Sequence, residues 1–259
     1  MLLLVGKQWP KIISILIKFD VNNLFRYIML KKFRINSILK LYDLCGKNDI
    51  RFSPSCWSVK LCLMYKEINF ETIPVGFSEK HKIAFTNQKL VPIIRSKDHF
   101  VFDSWNIINW LEENFNENPL FINSSNKTFS YFLYHWTSKE LLPILFKIIA
   151  NEIPNILDGK DLEYYVKTRE KYIKGPLSQL KPLIPGAIIK FRKLINPIRL
   201  IIKENNFISG ENPGLEDFIF FGNLKWVQSC NNFPLLENDD IITKWFNEIH
   251  KIFNFNQNL

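Results

Sequence analysis

Ser53 stands directly before Pro54 at the start of a predicted helix, in the segment Ser53-Pro54-Ser55-Cys56-Trp57. Proline is tolerated in the first turn of a helix because the amide protons there have no intrahelical partner. Those amides and the helix dipole favour an anion at the N-terminus, and a thiolate is such an anion. A serine hydroxyl can donate a hydrogen bond to the sulfur of a bound thiol and lower its pKa from about 8.5 towards neutrality. The segment therefore predicts a site that activates a thiol, with Ser53 as hydrogen-bond donor and not as nucleophile.

Two neighbours of Ser53 compete for this chemistry. Ser55 offers a second hydroxyl in the same turn, and Cys56 offers a thiol of its own that could be redox-active. Cys56 lies one turn inside the predicted helix, where packing is the simpler role. Ser53 itself could be a plain helix cap, the usual role of a serine before a helix that starts with proline. The surrounding segments have to decide among these roles.

The elements around the motif predict a small α/β layer. Residues 38–43 alternate loosely and end in a polar loop, which indicates a first strand, and residues 54–66 carry apolar side chains at helical spacing. The pattern continues with strands, a short helix and a closing helix that begins at Asp103 or Ser104. The predicted strands are 70–75, 91–95 and 99–102, and the short helix is 78–85. The order βαβαββα predicts a thioredoxin-like domain over residues 38–119.

Strand signals stop after Pro119, and helical apolar periodicity takes over. Loops with proline and glycine separate the predicted helices, which are residues 128–149, 162–181, 188–205 and 215–229. The fold class is therefore α+β, with an all-helical domain at residues 124–259 behind the thioredoxin-like domain.

The formal net charge of +9 raises the question of a nucleic-acid partner. Residues 1–40 carry eight basic residues against one acid, Asp20, so the rest of the chain is nearly balanced. No basic stripe with interleaved aromatic residues follows, and we predict no nucleic-acid binding.

The cysteines have neither metal-ligand spacing nor the density of a disulfide framework, which predicts a reducing compartment and no metal site; they are Cys45, Cys56, Cys62 and Cys230.

Residues 1–37 are predicted to be an extension outside both domains. The apolar run at 12–17 is far shorter than the roughly 20 residues that span a bilayer, so we predict no transmembrane segment. A basic, acid-poor and amphipathic segment is typical of a mitochondrial transit peptide or a helix on a membrane surface. Alternatively, Met29 is the true start and residues 1–28 are absent from the mature protein. We expect a cytoplasmic protein, or a mitochondrial one if the segment is a transit peptide.

The motif and its surroundings resemble the glutathione S-transferase family over residues 38–253. Three segments carry the likeness, namely Leu41-Tyr42-Asp43-Leu44 with Arg51 to Trp57, Leu90-Val91-Pro92, and Phe102-Asp103-Ser104-Trp105. The second is similar to the family's cis-proline loop and the third to its acidic-serine pair. The tryptophan after the motif, the Asp-Ser-Trp sequence and residues 163–166 resemble the serine-type branch of bacterial β-etherases and related fungal enzymes.

The resemblance implies a role for each site residue. Ser53 would stabilise the glutathione thiolate, and Val91 would pair its backbone with the cysteinyl part of glutathione beside a cis Pro92. Asp103 and Ser104 would hold the γ-glutamyl end, because a carboxylate suits an ammonium while a hydroxyl at a helix N-terminus suits a carboxylate.

The glycine carboxylate of glutathione has a weaker candidate. Members of the family often have a glycine and a basic residue before Val-Pro, where this chain has Lys89 and Leu90. Lys89 is the candidate that remains.

The helical half contributes two further sets of candidates. Tyr134, His135 and Trp136 are candidates for the pocket of the second substrate, with the protein core as an equal alternative. Residues 212–218 resemble the family's buried helix-capping element, in which Gly214 holds the cap position and Asp217 reaches back to the cap amide.

The resemblance implies a homodimeric glutathione transferase, whose thiolate attacks an electrophilic small molecule, with an aryl ether as one candidate. It implies glutathione as co-substrate and no metal. Two alternatives stay open. One is a non-catalytic glutathione-binding or interaction protein of the same fold. The other is an enzyme resembling maleylacetoacetate isomerase, which the pair Ser55-Cys56 suggests and the preceding Ser53-Pro54 opposes.

Overall fold

A four-stranded mixed sheet forms the first part of the chain. The computed structural model describes residues 38–97, 99–230 and 235–254, and the predicted extension at 1–37, with Met29, lies outside these residues. The sheet order is β2-β1-β3-β4, where β1 pairs parallel with β2 and antiparallel with β3, and β3 pairs antiparallel with β4. The strands are β1 (Leu39–Leu44), β2 (Phe70–Val75), β3 (Ile93–Ser96) and β4 (His99–Phe102).

Two helices complete this layer, α1 (Pro54–Tyr65) after β1 and α2 (Ser104–Asn114) after β4. The element between β2 and β3 is a 3-10 helix, Lys80–Thr86, where the sequence predicts a short helix at 78–85. Its N-cap residue is Glu79, which makes no capping hydrogen bond with its side chain, while the Ser78 amide donates to Asp161 Oδ1 in the helical half at 2.7 Å. The observed order confirms the predicted thioredoxin-like layer.

The second part of the chain is helical, as predicted, but three of the four predicted helices are divided into shorter elements, whereas the predicted helix 215–229 is a single helix. Its α-helices are α3 (Ser124–Trp136), α4 (Leu142–Ile149), α5 (Gly159–Ile173), α6 (Ile184–Leu194), α7 (Asn196–Asn205), α8 (Leu215–Cys230) and α9 (Ile241–Ile252). A π-helical turn, Thr137–Leu141, joins α3 to α4, and 3-10 helices lie at Ile153–Ile156 and Leu177–Leu183. In the first part of the chain, a further 3-10 helix, Lys47–Asp49, follows β1. Within the described ranges, no helix has the length and apolar character that a membrane crossing requires.

Proline and a left-handed residue explain where two predicted helices break. The predicted helix 162–181 ends when Lys174 adopts φ 57°, and the following Gly175-Pro176 cannot continue it. The predicted helix 188–205 divides at Ile195, because the missing amide of Pro197 cannot continue the ladder of hydrogen bonds.

Helix α8 lies at the centre of the packing. Most of its residues are buried, and Gly222 faces the start of α1, where a Cβ atom would clash with the Pro54 carbonyl oxygen and lie 2.8 Å from Ser58 Oγ. The absence of a side chain therefore lets the two helix backbones approach closely.

Asp217 fixes the start of α8. Its carboxylate accepts from the Gly214 amide at 3.1 Å, the contact that the capping interpretation predicts. It also accepts from the amides of Ile208 (2.8 Å) and Ser209 (3.0 Å) and from Trp245 Nε1 (2.7 Å). Burial raises the pKa of this carboxyl, and the four hydrogen bonds oppose that shift. Asp217 thereby ties the loop before α8 and the last helix to the cap.

Gly214 makes only half of a reciprocal cap, because it has no side chain to return the hydrogen bond. The Ser209 hydroxyl fills the space instead, since a Cβ on Gly214 would lie 2.7 Å from Ser209 Oγ. That hydroxyl donates to Glu216 at 2.6 Å.

Replacing Gly222 with alanine tests the close approach of α1 and α8. Gly222→Ala is expected to lower the free energy of unfolding by about 1–3 kcal/mol, because the new methyl group overpacks the contact. Urea unfolding measures the change. Gly186→Ala is the matched control, since a Cβ there in α6 meets nothing within 4 Å and alanine should be neutral or stabilising. Equal effects at the two positions would contradict the packing argument.

Candidate functional site

The sheet register brings three predicted site segments to one edge. Tyr42 of β1 lies opposite Ile93 of β3, which lies opposite Phe102 of β4. The loop after β1, the residues before β3 and the residues after β4 therefore emerge together. These segments carry Ser53, then Val91 with Pro92, and Asp103 with Ser104.

Ser53 is the N-cap residue of α1, in extended conformation with φ −88° and ψ 123°. Its Oγ accepts a hydrogen bond from the Cys56 amide at 3.2 Å, and the residue is 6% exposed. Capping uses a lone pair of the hydroxyl and leaves its proton unused by the cap. The Ser53 hydroxyl also hydrogen-bonds to the Cys56 thiol, and this contact opposes the rise in the pKa of that thiol. The cap role and the proposed donor role are compatible, because a bound thiolate is a stronger acceptor than a protonated thiol.

The cysteine beside Ser53 is not poised to react. Cys56 is fully buried, and burial together with the nearby Asp43 charge raises the pKa of its thiol well above the usual range. Burial likewise raises the thiol pKa at the other cysteines, to about 12 at Cys45 and further at Cys62 and Cys230. Ser55 is half-buried and its hydroxyl makes no hydrogen bond within the described part of the chain.

A buried layer of charge lies beneath the first turns of α1. Lys60 Nζ is 2.5 Å from Asp43 Oδ2, and Arg51 Nη1 is 3.3 Å from the same oxygen. Arg51 Nε also contacts Asp49 Oδ1 at 2.8 Å. Sequence reasoning missed this layer, although a lysine inside the apolar run of α1 and an aspartate at the end of a buried strand are signals that could have revealed it.

The loop before β3 has the geometry that the resemblance predicts. The Val91-Pro92 peptide bond is cis, and β3 begins at Ile93, two residues later than the sequence indicated. The Val91 backbone hydrogen-bonds to no other described residue, so both of its polar groups can face a ligand. Leu90 is 77% exposed, and Lys89 is exposed without an ion pair to any described residue.

Asp103 caps α2 and Ser104 begins it. The Asp103 carboxylate accepts from the Asn106 amide at 3.0 Å, and its backbone has φ 69°, a conformation that costs a non-glycine residue of the order of 1–3 kcal/mol. Ser104 is 3% exposed, and its Oγ lies 3.0 Å from the hydroxyl of Tyr134 on α3. A hydroxyl pair thus joins this end of the site to the helical half.

The three candidates for the second-substrate pocket lie in different surroundings. Consecutive residues on a helix point about 100° apart, so neighbours diverge. Tyr134 contacts Ser104, His135 is exposed with its ring 4.4 Å from that of Tyr131, and Trp136 packs half-buried against the core. Burial raises the pKa of Tyr134, and the Ser104 hydrogen bond opposes that shift, so the phenol is neutral at physiological pH.

The comparison with known families identifies the family of this chain. Models of the N-terminal and C-terminal domains of glutathione S-transferase match residues 49–119 and 128–249. The chain belongs to the glutathione S-transferase family. Among the residues of this chain that the structure describes, no group of His, Cys, Asp and Glu side chains could hold a metal ion.

Relatives from fungi resemble this family member in sequence and in fold. A glutathione S-transferase-like protein, ustS, of Aspergillus flavus is 29% identical over 140 residues, which span 49% of this chain and half of that protein. The crystal structure of glutathione transferase GSTFuA3 from Phanerochaete chrysosporium aligns with a TM-score of 0.75 at 14% identity over 85% of this chain and 98% of that one. A Ceriporiopsis subvermispora glutathione S-transferase in complex with glutathione aligns with a TM-score of 0.71 at 18% identity, covering 84% of this chain and 96% of that one.

The low accessibility of the cysteines in this protein leads to a testable prediction. The native protein at about pH 8 should react with Ellman's reagent far more slowly than free cysteine does, because Cys56, Cys62 and Cys230 are buried and the half-buried Cys45 has a thiol pKa raised to about 12. Unfolding in guanidinium should expose all four thiols and serves as the control. Rapid labelling of Cys56 in the native protein would overturn the assignment of that residue to packing.

Proposed function

We propose that this protein is a glutathione transferase that ionises the thiol of glutathione at the N-terminus of α1 for attack on an electrophilic small molecule. The observation that carries the proposal is the geometry of Ser53, whose hydroxyl caps α1 through a lone pair, so that the cap does not use its proton. A Ceriporiopsis relative of the same fold was solved with glutathione, which supports the choice of thiol.

The chemistry follows from the groups at the sheet edge. The thiol proton leaves to solvent, and the thiolate accepts a hydrogen bond from Ser53 in the field of the α1 dipole. The sulfur then forms a bond to an electrophilic carbon, whose leaving group departs with the electron pair. With an aryl ether, the carbon-oxygen bond breaks and a phenolate leaves. The sequence likeness to β-etherases at Trp57 and residues 103–105 supports that substrate class.

Glutathione would be held along its length by the other two segments. The Val91 backbone pairs with the cysteinyl unit, and Asp103 accepts from the γ-glutamyl ammonium. Ser104 donates to the γ-glutamyl carboxylate. Because a carboxylate cannot donate, the Ser104 proton must point at it, and Tyr134 must then donate to Ser104 Oγ. Tyr134 thus moves from the second-substrate pocket to the γ-glutamyl end, and Lys89 remains the candidate for the glycine carboxylate.

The two alternative functions are not equally supported. The Ser55-Cys56 pair suggested an enzyme resembling maleylacetoacetate isomerase, and full burial of Cys56 removes that support. A non-catalytic glutathione-binding protein would share every feature of the proposed site and differ only in the absence of turnover.

The homodimer and the cytoplasmic location stay predictions. The homodimer is consistent with an exposed aromatic surface formed by Phe85, Phe100 and Phe102.

Ser53→Ala tests the proposed role directly. The variant should raise the pKa of bound glutathione by about one to two units, since a hydrogen bond to a charged group contributes about 1.5–3 kcal/mol. Titration of the ultraviolet absorbance of the thiolate measures this pKa, and circular dichroism checks that the uncapped helix still folds.

Ser55→Ala is the matched control for Ser53→Ala and should leave the thiol pKa unchanged. The reverse pattern would move the role to Ser55. Glutathione binding without turnover of any electrophile or aryl ether, with Ser53 intact, would favour the non-catalytic protein.

Tyr134→Phe tests the hydroxyl pair at the γ-glutamyl end. The variant keeps the ring that packs 5.3 Å from Trp105 but loses the donor to Ser104. Glutathione affinity should fall about threefold to tenfold with no change in the pKa of the bound thiol, because the lost interaction is one neutral hydrogen bond far from the sulfur. Calorimetry measures the affinity.

Tyr131→Phe is the control for Tyr134→Phe, since that ring packs 5.0 Å from Trp105 and is 48% exposed. A glutathione analogue without the γ-glutamyl carboxylate should bind the wild type and Tyr134→Phe equally. A Tyr134→Phe variant with wild-type affinity for glutathione would refute the arrangement.

A further inference from the structure

The positively charged side chain of Lys225, on α8, lies beside the first turns of α1. Its Nζ lies 5.1 Å from the centroid of the Trp57 ring and donates to Gln228 Oε1 at 2.8 Å. The side chain is half-buried, and no carboxylate of the described residues forms an ion pair with it. A buried ammonium that has only a neutral amide and a ring as partners is rare, because burial normally demands a counter-charge.

The other charges around Trp57 are already compensated. Lys60 Nζ lies 4.2 Å from the same ring but pairs with Asp43, and Arg51 contacts both Asp43 and Asp49. These two cations and two carboxylates balance. Lys225 therefore gives this region a net positive charge.

The Trp57 side chain links this charge to the start of α1. Its Nε1 donates to the Arg51 carbonyl at 3.0 Å, two residues before Ser53, so the ring folds back along the first turn. Ser229 Oγ of α8 donates to the same carbonyl at 3.1 Å. Lys225, about one helical turn before Ser229, thus lies beside the end of α1 that carries Ser53.

The surroundings disfavour the charge of Lys225 until an anion arrives. Burial and the charge of Lys60 lower the pKa of Lys225 to about 8. On α9, burial and the Lys225 charge lower the pKa of His250 to about 4, so that ring is neutral near pH 7 and adds no charge. Within the described part of the chain, the titratable groups that act on Lys225 or respond to its charge are thus Lys60 and His250.

We propose that the Lys225 ammonium stabilises, through space, the glutathione thiolate held at Ser53. This inference rests on the proposed function of the site. The thiolate supplies the negative charge that the region lacks, and the ammonium adds to the field of the α1 dipole. Coupling between two sites is reciprocal, so the thiolate must raise the pKa of Lys225 as much as Lys225 lowers that of the thiol.

The coupling has a defined dependence on pH. The ammonium is present below a pH of about 8 and favours the thiolate there. Its contribution declines as the pH rises through the pKa of Lys225, because the neutral amine exerts no such field.

Lys225→Met tests the proposal by titration of the thiolate absorbance of bound glutathione. The variant should raise the thiol pKa by about one unit, the effect of a unit charge roughly 10 Å away at an effective dielectric constant of about 20. Lys225→Arg keeps the charge and should stay near the wild type. Lys203→Met, an exposed lysine of α7, makes the same change in net charge and should also leave the thiol pKa unchanged.

The outcomes separate this inference from the proposed function. A lowered thiol pKa in the wild type that persists in Lys225→Met would overturn the role of Lys225 and leave that of Ser53 intact. No lowered thiol pKa in the wild type would overturn both.

A measurement on the wild type keeps the proposal testable if Lys225→Met fails to fold. Carbon-13 labelling of the lysine ε position lets NMR follow the pKa of Lys225 directly. Glutathione should raise that pKa by about one unit, whereas S-methylglutathione, which cannot form a thiolate, should not. Equal values with the two ligands would refute the proposal.

Discussion

The contact between α1 and α8 is the constraint on which the rest of the site depends. Gly222 lets the α8 backbone approach Pro54, and farther along the same helix Ser229 holds the carbonyl of Arg51. The turn that carries Ser53 is thus fixed from the helical half as well as from the sheet. A hydroxyl stabilises a thiolate only if its O–H bond is oriented towards the sulfur. The packing of α1 against α8 fixes the backbone that carries this hydroxyl, although α8 does not contact the hydroxyl itself.

Contacts between the two halves of the chain occur at several loops that leave the sheet. The Ser104 hydroxyl meets Tyr134 of α3, and the Ser78 amide meets Asp161 of α5. The ring of Phe77, after β2, stacks on Tyr164 at 5.9 Å. Segments that leave one edge of the sheet are thereby held by helices from the other half of the chain. Both halves would therefore contribute to glutathione binding, although the predicted ligand groups lie almost entirely in the first.

Local pattern predicted the sheet layer well and the helix ends poorly. Alternation and turn residues located all four strands to within about two residues, because these strands and their loops are short. Apolar periodicity ran through Ile195 without a break, because residues on both sides face the same core. The site residues followed from the motif at Ser53. Lys60 and Lys225 did not, because their partners lie on other elements that no spacing rule connects.

The sequence by itself determined the order of elements and the types of residue at the sheet edge. Serine before proline specifies a helix start, and the register of short strands brings Val91 and Asp103 to the same edge. Only the tertiary structure decided which of those groups are available. It buried Cys56 beside Asp43, brought the Tyr134 hydroxyl to Ser104, and gave Lys225 no counter-charge among the residues that the structure describes. Burial and charge compensation depend on which distant segments pack together, and that information is not carried by any local pattern.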